Sequence, residues 1–278
     1  MIITNENLFL IALALIWIIG AVIQDLRRRE VDNIWNFSLI GIALAYRLAV
    51  SVNTNYWFFI NGLIGFLIFI ILGNLFYYMR FFAGGDAKLL IALGTILPLS
   101  FDWLINLKIL GYFILLFLLG GSIYAFIWSL FLIGFNLKNF GKEFVRQVKI
   151  KRNIFLISLV FLFSFLVLSY FMGFEFIFIG LIFLLFPFLV VFAKSVEECC
   201  MVKALSPEKI TEGDWLYEDI FVKGRKIKAN WEGVSKAELS LIRKKYRRKI
   251  LVKQGIPFTP GFLIGFLALL SLDWFGWF

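Results

Sequence analysis

The chain has 278 residues, of which 62% are hydrophobic, 19% aromatic and only 17% charged. A soluble globular domain is nearer half apolar with about a quarter of its residues charged, so this composition excludes an ordinary water-soluble fold and places the chain in lipid. The formal charge of +10 calls for no nucleic acid, because basic loops facing anionic headgroups account for it.

About eight apolar runs read as membrane-spanning helices, at 8–24, 34–52, 57–79, 87–101, 109–135, 154–172, 174–193 and 259–277. The fourth is short, and only Gly173-Phe174-Glu175 divides the sixth from the seventh. The first run leads into Gln24-Asp25-Leu26-Arg27 without a cleavage signature, so it reads as an anchor rather than a signal peptide. Across an alternating topology, 26 of the 28 Lys and Arg fall on one side, leaving Arg47 and Lys108 toward the other. The positive-inside rule makes the basic side cytoplasmic and puts both termini outside, in a multi-pass protein of the plasma membrane.

Residues 1–193 read as one transmembrane domain, 194–257 as a cytoplasmic insert and 258–278 as a final span. The loop at 136–153 carries Phe140, Phe144 and Val148 four apart, as a short surface helix or a solvated basic connection would. Within the insert, Leu216–Val222 and Lys226–Trp231 flank Lys223-Gly224 and predict a small β-hairpin. Ser235 and Glu238 have capping-box spacing, predicting a helix that starts there and ends at Gly255. On it Leu239, Ile242, Tyr246 and Ile250 form an apolar stripe. The run Arg243, Lys244, Lys245, Arg247, Arg248 and Lys249 covers much of the rest. Such a helix lies on a membrane of anionic lipid or packs its stripe against the hairpin. Pro257 and Pro260 punctuate the approach to the last span. The expected fold class is therefore an all-α polytopic membrane protein with a small cytoplasmic α+β insert before its last helix.

The chain has no histidine and only two cysteines, Cys199 and Cys200, which argues against a zinc site. No metal or cofactor is expected, and the adjacent cysteines read as unpaired and structural. Two acids stand out instead. Asp25 closes the first apolar run and Asp86 opens the fourth, so both fall at the cytoplasmic edge of the hydrocarbon, where a carboxylate is costly. Two neighbouring carboxyl groups do not both ionise easily and share a proton. The ionised one then activates water against an amide carbonyl and the protonated one supports the oxyanion. Taken singly, Asp86 also reads as a helix N-cap and Asp25 as a partner of the adjacent arginines. Gly84 and Gly85 would let the chain reach positive φ and a substrate backbone come close to Asp86. Asp32 is a candidate substrate-binding acid or alternative partner for Asp86, and Lys88 flanks the glycine turn. Asp102, Glu175 and Asp273 map to the opposite side, while Asp214 and Asp219 read as surface acids of the insert.

The stretch Asp25-Leu26-Arg27-Arg28-Arg29-Glu30-Val31-Asp32-Asn33 resembles the first active-site segment of prepilin peptidases. Gly84-Gly85-Asp86-Ala87-Lys88-Leu89-Leu90 resembles their second, of the GxGD intramembrane aspartyl protease type. Gly255-Ile256-Pro257-Phe258-Thr259-Pro260-Gly261-Phe262 is similar to the C-terminal part of archaeal members, the preflagellin peptidases among them. There is no cysteine-rich domain of the bacterial type. Two positions depart from the pattern: Ala83 replaces the first glycine of GxGD, and Asp32 stands where a proline often precedes the asparagine. The resemblance implies cleavage of class III signal peptides of type IV pilin-like (prepilin) or archaellin (prearchaellin) precursors at the cytoplasmic face. In it Asp25 and Asp86 are the catalytic pair, with Gly84, Gly85, Asp32 and Lys88 forming the turn or binding substrate. A transporter that relays protons or binds a cation through Asp25 and Asp86 is the competing class.

Overall fold

The computed structural model describes residues 3–222, 224–230 and 232–277. In chain order they form α1 (Asn5–Arg28), α2 (Asn33–Asn53), α3 (Trp57–Tyr78), α4 (Gly84–Leu93), α5 (Trp103–Gly134), α6 (Leu137–Ile150), α7 (Arg152–Met172) and α8 (Glu175–Cys200). Strand β1 (Val202–Leu205), β2 (Trp215–Leu216), β3 (Ile220–Val222), β4 (Arg225–Ile227), helix α9 (Lys236–Lys245), β5 (Ile250–Lys253) and α10 (Thr259–Trp274) follow. The chain is thus an all-α polytopic membrane protein with a small strand-containing insert. α1, α2, α3, α5, α7 and α8 are long and apolar enough to cross a membrane. It divides into two compact units, Met1–Ile127 with Ile256–Phe278, and Trp128–Gly255.

In the first unit, Leu10, Ala14, Ile18 and Ala21 recur every three or four residues along one face of α1. They join Leu39 and Ala43 of α2, Leu89 and Leu93 of α4, Phe113 and Phe117 of α5, and Phe262 and Phe266 of α10 in one buried cluster. The fourth expected span is the main departure from the sequence reading. Instead of a helix over 87–101 there is a ten-residue helix that stops at Gly94. Pro98 lacks an N–H and pushes its predecessor out of the helical region, so the carbonyls before it lose their helical acceptor role.

Arg47 answers that loss. Its wholly buried guanidinium donates to the carbonyl oxygens of Thr95 (2.7 Å), Ile96 (2.9 Å), Pro98 (2.6 Å) and Phe58 (2.7 Å). Charge alone set this arginine apart as an exception to the loop rule. Its position is explained by the broken helix it plugs.

The reversal from α3 into α4 is a Schellman motif with Arg80 left-handed at φ 63. Arg80 N donates to Tyr77 O and Phe81 N to Phe76 O, both at 2.9 Å, and the Phe76 and Phe81 rings meet edge to face. α4 then lies close along α3, because a Cβ at Gly73 would come within 3.0 Å of the Ala87 carbonyl. α10 approaches α5 in the same way, where a Cβ at Gly261 would meet the Gly121 Cα at 2.8 Å.

In the second unit α7 and α8 form a hairpin turned at Gly173 (φ 130), with Phe161 stacked on Phe183 at 4.8 Å. The 136–153 segment is helical as α6 and packs on α8. Cys199 and Cys200 are free thiols. β3 and β4 form the expected antiparallel hairpin, shorter than read, with Val222 opposite Arg225. Lys223 and Trp231 of that reading lie outside the described residues. The capping box is present: Ser235 Oγ accepts from Glu238 N, and Glu238 Oε2 accepts from Ser235 N.

The helix it starts does not run to Gly255. It ends at Tyr246, and 250–253 is the central strand of the sheet β1-β5-β2. Six cations between Arg243 and Lys249 repel one another on a helix, whereas Ile250 and Val252 alternate inward as a strand requires. The stripe survives this change. Leu239, Ile242, Tyr246 and Ile250 all pack in the insert's own core with Ile220, Val222 and Ile227 of the hairpin.

Candidate active site

Asp25 occupies the last turn of α1, which a left-handed Arg29 (φ 60) closes by donating its N–H to the Asp25 carbonyl at 2.8 Å. The Asp25 side chain is buried, with the residue 7% exposed. Its Oδ2 accepts from Thr259 Oγ1 at 2.9 Å and from Thr259 N at 3.2 Å. Phe258 is the N-cap of α10. The carboxylate therefore takes up an open amide of a helix start, where the backbone dipole is positive.

Asp86 is the third residue of α4, whose N-cap is Ala83. α4 contacts α1, and the Asp25 charge acts on Asp86. The two acids singled out in the sequence are thus brought together at one end of the first unit.

The glycines before Asp86 differ from expectation. Gly84 and Gly85 are the first two residues of α4 and have no positive φ; the left-handed residue of this reversal is Arg80. What they contribute is room. A Cβ at Gly84 would meet only the Tyr77 ring at 3.9 Å, and one at Gly85 the Val31 backbone at 3.4 Å. No side chain of their own covers the amides of this helix start.

Asp32 is the N-cap of α2 and is held by Arg28 at 2.7 Å, its side chain 53% exposed. Gln24 Oε1 accepts from its backbone N–H at 3.0 Å. Lys88 Nζ donates to Asn33 Oδ1 at 2.6 Å and so ties α4 to the first turn of α2. Among the described residues no group of three or more His, Cys, Asp or Glu is placed to hold a metal ion.

Three residues escaped the sequence reading. Thr259 sits between Phe258 and Pro260, a helix-start signature read only as punctuation. Tyr124 of α5 feels the Asp25 charge, and its sole signal is a phenol inside an apolar run. Asn36 lies one helical turn into α2, fully buried, and neither amide atom has a hydrogen-bond partner. It shares the face of α2 that carries Arg47, eleven residues on, so it looks toward α4 between the Lys88 and Arg47 contacts.

Residues 12–136 match the type IV leader peptidase family, and both aspartates lie inside that stretch. The resemblance carried by Asp25 and by Gly84-Gly85-Asp86 is to this family of prepilin and preflagellin peptidases. Among particular proteins, the chain is similar to a preflagellin peptidase of Methanococcus maripaludis (strain C6 / ATCC BAA-1332). The two are 33% identical over 152 residues, covering 46% of this chain and 64% of that protein. It is 29% identical over 137 residues to a preflagellin peptidase of Methanococcus voltae, covering 46% of this chain and 58% of that one. The match therefore spans less than two thirds of either relative. No solved structure matches the chain.

Proposed function

We propose that this protein is a membrane-embedded aspartic endopeptidase. It removes the leader peptide from type IV pilin-like or archaellin precursors at the cytoplasmic membrane face, with Asp25 and Asp86 as its catalytic pair. The observation that carries the reading is the convergence of these two acids from the end of α1 and the start of α4, inside the stretch that matches leader peptidases.

The chemistry follows from two carboxyl groups that hold one proton between them. The ionised member takes a proton from water as the oxygen attacks the scissile carbonyl. The protonated member donates to the carbonyl oxygen, and the gem-diol then collapses as the leaving amine is protonated. Gly84 and Gly85 leave space for an extended peptide beside Asp86. The precursor's apolar segment lies along the spans while its basic leader stays in the cytoplasm, which puts the scissile bond level with the pair. Asp32, half exposed and already held by Arg28, is a secondary contact for the leader rather than a member of the pair. The exposed cations from Arg243 to Lys249 meet anionic headgroups.

The test is cleavage of a pilin-like and an archaellin precursor by the purified protein in proteoliposomes, read by product mass. Wild type is expected to cut one of them at a single bond before the apolar segment. Asp25→Asn and Asp86→Asn abolish the cut, and Asp32→Asn only weakens it. Proton-coupled flux through the same vesicles, with both precursors left whole, would give the site to transport instead.

A further inference from the structure

Hydrolysis by paired carboxyls requires one to be ionised and the other protonated when the peptide arrives, and the surroundings of Asp25 and Asp86 differ. Asp25 accepts from the Thr259 hydroxyl at 2.9 Å and from the Thr259 N–H at 3.2 Å. The charge of Arg29, on its own helix, also acts on it. Asp86, the third residue of α4, faces the charge of Asp25. The ionisable groups around the pair are therefore Arg29 from α1, Asp86 from α4 and Tyr124 from α5 about Asp25, and Asp25 about Asp86. Hydrogen bonds to a carboxylate favour its charged form, and a like charge nearby favours the neutral form.

We propose that Thr259, at the N-terminus of α10, is a positioning residue that keeps Asp25 the ionised member of the pair, so that Asp25 is the base and Asp86 the acid. The inference rests on the proteolytic reading and divides its labour. Asp25 takes one proton from water while the hydroxyl oxygen bonds to the carbonyl carbon, and the Asp86 proton passes to the carbonyl oxygen. In collapse the proton on Asp25 goes to the amine as the C–N bond breaks. A hydroxyl proton of the gem-diol returns to Asp86, so both groups end as they began. Thr259 acts through the Asp25 carboxylate it donates to, not on the peptide itself, and lies outside the stretch that matches leader peptidases.

Thr259→Val keeps the side chain's shape and removes its donor, whereas Thr259→Ser keeps the donor. Both are compared with wild type for precursor cleavage across pH in proteoliposomes. Thr259→Val is expected to lower kcat about tenfold at unchanged KM, and to move the acid limb of the profile up by about one pH unit. The sign follows because a base that has lost a donor to its charged form ionises later. Thr259→Ser restores both readouts. An acid limb that stays in place makes Thr259 merely structural, and movement of the alkaline limb instead gives the charge to Asp86; either result overturns the proposal. If Thr259→Val does not hold its fold in detergent, Thr259→Ala carries the same comparison. Failure of the proteolytic reading looks different, since wild type itself then leaves the precursor whole at every pH, and this inference falls with it.

Discussion

Asn36 and Asp25 show how differently one buried environment treats two polar side chains. Asp25 is met by a backbone N–H and a hydroxyl, while the Asn36 amide has no hydrogen-bond partner. An unsatisfied buried amide costs about 1–3 kcal/mol. Asn36→Leu, which keeps the number and branching of the side-chain heavy atoms, is therefore expected to raise stability by about 1 kcal/mol, seen as a thermal midpoint in detergent roughly 2–4 °C higher. A lower midpoint would mean that the amide is satisfied in the working protein. Asn36 was silent in the sequence because a lone asparagine in an apolar run does not announce its partners. Asp25 and Asp86 were legible because charge at a hydrocarbon edge is rare. The donors that distinguish them come from Thr259, 234 residues further along the chain.

At the scale of elements, the apolar runs foretold α1, α2, α3, α5, α7 and α8, since lipid leaves a long run little choice but a helix. The last run, read as a span over 259–277, gives the shorter sixteen-residue α10, and two other elements did not follow their pattern. The run at 87–101 looked like a span because hydropathy counts Pro98 and Gly94 as single weak residues, yet Pro98 costs a helix its hydrogen-bond ladder. Residues 250–253 looked helical because Ile250 lies four from Tyr246, yet a strand with Ile250 and Val252 inward fits between β1 and β2. The ten-residue α4 in turn depends on Arg47. Arg47→Met would strand the carbonyl oxygens of Thr95, Ile96 and Pro98 and is expected to destabilise the protein by about 3 kcal/mol or more. Arg47→Lys should rescue little, because a single ammonium cannot reach all three in the plane that the guanidinium spans. Unchanged thermal midpoints for both variants would remove Arg47 from this role.

On the scale of the whole molecule, the first unit holds both aspartates, Thr259 and the helices that place them, and the second holds α6–α8 and the insert. The insert keeps the apolar stripe of α9 for its own core and leaves its cations exposed. That division agrees with chemistry in the first unit and a basic, headgroup-facing surface in the second, the arrangement proposed for an enzyme that meets its substrate at the cytoplasmic face.

The most direct test of the central claim is single-turnover cleavage of a leader-bearing precursor by Asp25→Asn, Asp86→Asn and the double variant, all shown to be folded. Two groups that act as one unit are strongly non-additive. Each single change is predicted to slow cleavage by about a thousandfold or more, and the double variant to be no slower than the worse single one. Cleavage that survives either single change, or losses that multiply in the double variant, would contradict a shared catalytic pair.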